Sequence, residues 1–130
     1  MKRFFSIALA ISLLVAPVLA DIEIGDIVIN RTDASVNVRV NMHNPGPGTA
    51  RSPILVKLYV QAEGDNEWRE VKSWSNISKL AVGHRVSRDY FNDSPGDWDP
   101  AFNAPSFTVR ATAISADGSE SFFEEHFPGN

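Results

Sequence analysis

The 130-residue chain contains no cysteine. Neither a disulfide framework, nor a thiolate nucleophile, nor a lipid-bearing cysteine at the amino terminus is open to it. Cations are the minority, 12 Lys and Arg against 16 Asp and Glu. Because binding to phosphates is dominated by Lys and Arg contacts, this balance argues against nucleic acid or an anionic membrane as a partner. Beyond residue 20 there is no second long apolar run and no stretch of helical periodicity. Gly-x-Ser-x-Gly, His-Glu-x-x-His and a glycine-rich loop between strand and helix are all missing. Their absence removes the common signatures of a serine hydrolase, a zinc peptidase and a phosphate cradle.

The one long apolar run opens the chain, MKRFFSIALAISLLVAPVLA. Lys2 and Arg3 precede an apolar stretch from Phe4 to Val15, and Val18 and Ala20 are the small residues of a cleavage site. Residues 1–20 therefore read as a secretory signal peptide cut after Ala20. A membrane anchor needs roughly 20 apolar residues, and here Pro17 interrupts a shorter run. Cleavage removes two of the 12 cations and none of the 16 acids, moving the formal charge from −4 to −6. About 110 residues remain, one domain able to close a core without covalent staples. The expected product is soluble, without a membrane anchor, and periplasmic or extracellular. A small exported domain without cystines suits a bacterial envelope.

Within residues 21–130 the dominant period is two. Val36, Val38, Val40 and Met42 alternate with Asn37, Arg39, Asn41 and His43; Ile54, Val56, Leu58 and Val60 repeat the pattern. Between them, residues 45–53 hold three prolines and two glycines, which end any ladder and form a loop. Residues 21–30 form a first strand with a bend or bulge at Gly25 and Asp26. Residues 68–74 return from a turn at 63–67, with Trp68, Glu70, Lys72 and Trp74 expected to share one side. Residues 85–91 read as a polar edge strand. Residues 92–105, NDSPGDWDPAFNAP, are the longest irregular segment, and such loops tend to carry function. Residues 107–114 and 121–127 make a final hairpin about the Asp117-Gly118 turn. Seven short strands with turns at this spacing predict an all-β fold, an immunoglobulin-like antiparallel β-sandwich.

Four stretches together, VNVRVNMHNPGPG, PILVKLYV, Leu80-Ala81-Val82-Gly83 and TAISADGSESFFEEH, resemble the CARDB family, the cell-adhesion-related domain of bacteria. The resemblance spans nearly all of residues 21–130. It implies a non-enzymatic binding or spacer module of the cell envelope, with a protein or glycan of that envelope as partner.

Few residues stand out for chemistry. His43, His84 and His126 are far apart in sequence, none with the one-turn spacing of a zinc helix, and read as surface histidines. Asp93, Asp97 and Asp99 crowd oxygen ligands into one loop. A solvated Asx-rich turn is the plainer reading and a calcium site the alternative, because the later Gly and Glu of an EF-hand loop are missing; no other cofactor is expected. Trp68, Trp74 and Trp98 are candidate binding rings. At least one of Trp68 and Trp74 is expected in the core, as sandwiches bury a tryptophan between sheets. Trp98, in its acidic loop, is expected exposed, so that Trp98→Ala would weaken binding and leave thermal unfolding nearly unchanged. The leading expectation is a protein-binding adhesion-type module using its proline-rich end loops or an open sheet edge. The alternatives are a carbohydrate-binding module with a tryptophan platform, and a periplasmic hydrolase or inhibitor built on a histidine beside a buried acid.

Overall fold

The computed structural model describes residues 22–128, so the leader and its cleavage point lie outside the described residues. Seven strands form among them: β1 (Glu23–Arg31), β2 (Val36–His43), β3 (Ile54–Ala62), β4 (Arg69–Ile77), β5 (Arg85–Asn92), β6 (Phe107–Ile114) and β7 (Glu120–Phe127). They make two antiparallel sheets, ordered β1-β2-β5 and β4-β3-β6-β7. In a constant-type immunoglobulin domain the fourth strand joins the first, second and fifth. Here β4 pairs with β3 instead.

Alternation fixes which side of each strand is inside, since successive side chains point to opposite faces. Val36, Val38, Val40 and Met42 of β2 face Ile54, Val56, Leu58 and Val60 of β3 and Phe107, Val109, Ala111 and Ala113 of β6 across one continuous core. All twelve are at most 2% exposed. The expected irregularity in β1 is present as a register shift between Ile24 and Asp26.

Strand β4 departs from simple alternation. Glu70 stands opposite Tyr59 and Lys72 opposite Leu58, leaving Val71 as an extra residue; Trp74 pairs with Val56 and Ile77 with Ile54, leaving Ser75 and Asn76 against Leu55. Each bulge reverses the phase of the side chains. Trp74 and Ile77, three residues apart, are therefore both buried, and Trp68 does not share a side with Trp74 as the uninterrupted period had suggested.

The two ends of the sandwich are closed differently. At one end Asn44, 1% exposed, ties three segments together. Its Nδ2 donates to the carbonyls of Gly48 (2.9 Å) and Leu80 (2.8 Å), and its Oδ1 accepts from the Gly46 amide (2.7 Å). Gly46 has φ +93, which a side chain would strain. At the other end residues 92–105 fold inward. A short 3-10 turn, Pro100–Asn103, is capped by Asp99, whose carboxylate accepts from the Ala101 amide, with Pro100 at its start. The turn drives Phe102 and Ala101 into the core with Trp98 beside them, and Trp98 Nε1 donates to Asn103 Oδ1 at 2.5 Å. Arg31 fastens the plug from β1: its Nη1 donates to the carbonyls of Phe102 (2.7 Å) and Ala104 (2.5 Å), and its guanidinium lies 4.8 Å from the Phe127 ring.

Candidate functional site

Of the three tryptophans only one is available at the surface. Trp98 is 6% exposed and Trp74 9%, which corrects the expectation of an exposed Trp98: the 3-10 turn carries its ring into the core, so its removal leaves a cavity. Trp68 is half-buried, held on the outer face of the four-stranded sheet by Arg110, whose guanidinium lies 4.5 Å from its ring. The same guanidinium lies 5.3 Å from the ring of Phe122, which is 62% exposed.

Local sequence explains this arrangement. In β6 Val109 and Ala111 point inward, so Arg110 points outward. The turn at residues 115–119 sets the β6–β7 register, placing Glu124 opposite Arg110 and Phe122 opposite Thr112. Arg110 Nε donates to Glu124 Oε2 at 2.7 Å, and Nη2 reaches the same oxygen. Tyr59 of β3 is the neighbour of Arg110 on the other side and stands opposite Glu70, which Lys57 approaches at 3.7 Å. Thr112, on this outer face, is 8% exposed, so the side chains around it form a cover. The result is a band of Trp68, Arg110 and Phe122 lying across β6 and β7. Stacking of this kind holds a guanidinium in one orientation and presents a flat, amphipathic surface.

The outer face of the three-stranded sheet is polar and interlocked. Arg39 forms a two-bond pair with Asp89 (3.0 and 3.3 Å), and these bonds first, then the carboxylate's charge, raise the Arg39 pKa. Asn41 donates to Asp26 Oδ1 (2.7 Å) and accepts from Ser87 Oγ (2.5 Å). Beside the Gly25 bulge these residues, with His43 and Arg85, line an open cleft of about 410 Å³. Serine, histidine and acid share this cleft without the connections of a catalytic relay: the Ser87 hydroxyl is committed to Asn41, and His43 Nε2 lies 3.7 Å from Glu23, itself 42% exposed. His84 lies in the turn at the same end as His43, and His126 pairs with Thr108 at the other end (3.1 Å), so the three histidines do not converge.

The acidic loop is likewise engaged. Asp99 accepts Arg69 Nε on both carboxylate oxygens (3.0 and 2.8 Å) while capping the 3-10 turn. Those bonds, then the Asp99 charge, raise the Arg69 pKa. Asp93 and Asp97 are exposed, and among the described residues no group of three His, Cys, Asp or Glu side chains is placed to hold a metal ion. Sequence reasoning passed over Arg110 and Phe122. The signal for them was the hairpin register, which sets Arg110 against Glu124 once Asp117-Gly118 is taken as the turn.

These features define a seven-stranded antiparallel β-sandwich carrying an aromatic and arginine band on one sheet. No family model matches the sequence, and no curated protein is similar to it. Solved structures share the fold. The archaellum periplasmic stator protein FlaG from Sulfolobus acidocaldarius superposes with a TM-score of 0.51 at 14% identity, covering 82% of this chain and 100% of that one. A superoxide reductase in the oxidized state gives a TM-score of 0.53 at 14% identity, over 83% of this chain and 90% of that one. The archaellum stator complex of FlaF and FlaG from the same Sulfolobus species gives 0.50 at 15% identity, over 96% and 100%. Likeness at this level is one of architecture, which hosts unrelated functions. Among the described residues no helix is long and apolar enough to cross a membrane.

Proposed function

We propose that this chain is an exported, non-enzymatic binding module of the bacterial cell envelope, CARDB-like in organisation, that acts in the periplasm or outside the cell. Its partner is another protein, held on the outer face of the four-stranded sheet. The observation that carries this reading is the Arg110 guanidinium stacked between Trp68 and the open ring of Phe122. Tryptophan, arginine and exposed aromatics are the residue types that anchor protein interfaces, because they bury large area at small entropic cost. The FlaF and FlaG structure is a complex of two proteins, an architectural parallel for a sandwich that works by pairing. The glycan alternative keeps only Trp68 of its three rings, since Trp74 and Trp98 are buried.

The test compares the wild type with Trp68→Ala and Phe122→Ser as bait for solubilised envelope proteins. Both variants should lose the retained partner, with affinity reduced roughly tenfold or more, while Tm stays close to wild type. Equal retention by both variants overturns the assignment. A change in Trp68 fluorescence on adding soluble envelope glycan, with no protein retained, overturns it in favour of a carbohydrate-binding module.

A further inference from the structure

On the edge strands and the β4–β5 connection the charges left over by the ion pairs are sorted by side, while the exposed Asp93 and Asp97 of the loop after β5 stand outside that pattern. Strands β1 and β7 approach each other along one long side of the sandwich, so the free edges of β5 and β4 make the other. Between Arg69 and Asn92 the chain carries Arg69, Lys72, Lys79, Arg85 and Arg88 against Glu70 and Asp89. Both acids are engaged, Glu70 by Lys57 and Asp89 by Arg39. Lys72, Lys79, Arg85 and Arg88 make no ion pair among the described residues. The β1 and β7 side is the reverse, with Glu23, Asp26, Glu120, Glu124 and Glu125; its one cation, Arg31, is turned onto the Phe102 and Ala104 carbonyls. Glu120 and Glu125 make no ion pair among the described residues.

Two further features match across these sides. β5 and β7 each pair with their one ladder neighbour over eight residues without a register shift; the second edge of β5 is open, and that of β7 lies beside β1, where the Ile24 amide meets Ser121 Oγ at 3.4 Å. Each also carries an open aromatic ring, Phe91 at 59% exposure and Phe122 at 62%.

We propose that the β5 side of one copy docks against the β7 side of the next, so that this chain associates with itself head to tail. Solubility alone would be served by dispersed charges of both signs. Segregated charges attract in the head-to-tail sense and repel in both symmetric senses, β5 against β5 and β7 against β7. Such a contact is heterologous and propagates instead of closing as a two-fold dimer. Phe91 supplies apolar area along the seam. The proposal goes beyond the partner-binding reading and does not depend on it, because the charges tested below leave Trp68, Arg110 and Phe122 in place.

Sedimentation velocity of the leader-free chain decides it. At low salt the wild type should form species that grow past the dimer with concentration and return to monomer near about 1 M salt, where the screening length falls to about 3 Å. Reversing the basic side with Lys79→Glu and Arg85→Glu, or the acidic side with Glu120→Lys and Glu125→Lys, should each weaken self-association by roughly tenfold or more. All four positions are exposed, so folding should survive, as circular dichroism would verify. Mixed in equal amounts, the two reversed chains should associate again. A monomer at every concentration in low salt, a dimer that stops at two, or association that the reversals leave unchanged would each overturn the proposal. So would a monomeric wild type that retains an acidic polysaccharide through Lys79 and Arg85, which would give that side to a polyanion.

Discussion

Trp68, Trp74 and Trp98 have one side chain and three surroundings, and substitution should read out each of them. Trp98→Ala removes a ring packed in the core beside Ala101 and Phe102 and should cost about 3–5 kcal/mol of stability, seen as a lower midpoint in denaturant unfolding. Trp68→Ala removes a half-buried ring stacked under Arg110 and should cost no more than about 1 kcal/mol, the scale of an exposed cation–π contact. Equal losses for the two would contradict the burial assigned to them. Asp117 shows a charge effect of similar locality. The Ser119 amide and hydroxyl both donate to its carboxylate (2.9 and 2.7 Å) and hold its pKa below the usual value, with Arg51 a smaller contributor. A carboxyl with a depressed folded pKa contributes stability above its unfolded pKa and loses it as pH falls through the folded one. The Asp117 side-chain resonance should therefore titrate below that of a free aspartate, and Ser119→Ala should move it back up. An unshifted midpoint in wild type would refute the turn geometry.

At the scale of elements, the two proline-rich loops differ in what fixes them. Residues 45–53 are tied by Asn44, and Asn44→Ala would strand the buried Gly46 amide and take a donor from the Gly48 and Leu80 carbonyls, of which Leu80 keeps the Ala50 amide. A buried polar group without a partner costs about 1–3 kcal/mol, so a loss of at least about 1 kcal/mol is expected, together with faster proteolysis within residues 45–53. Residues 92–105 are tied by Arg31 and by the Asp99 cap. Parts of this were legible beforehand: Asp99-Pro100 is a cap followed by a proline at the first helical position, a start signal that needs no tertiary context. The inward turn of Trp98 was not, because a loop's local pattern does not state which end of the sandwich lies open above it. β4 is the complementary case. Its period of two put Trp68 and Trp74 on one side, and the bulge at Val71 separates them, since only pairing with β3 forces an extra residue out of the ladder.

For the molecule as a whole, each of the central strands β2, β3 and β6 has a partner on both sides, whereas β1, β4, β5 and β7 are edges. Amide hydrogen exchange should be slowest in β2, β3 and β6 and fastest, among strands, in the twice-bulged β4; a β4 protected as well as β3 would contradict this topology. The sequence by itself determined the all-β class, the limits of most strands and their buried faces, because alternation of valine, isoleucine and leucine with polar residues is read directly by the pleat. It also determined that no cystine could be used. The turn at residues 63–67 already joined β4 to β3; only the tertiary structure decided that β4 is bulged twice against it, that Trp98 is core, and that Trp68, Arg110 and Phe122 form one band. Those facts depend on register and on contacts between residues dozens of positions apart. A strand's own sequence encodes which way its side chains alternate, but which neighbours those side chains meet is a property of the closed sandwich.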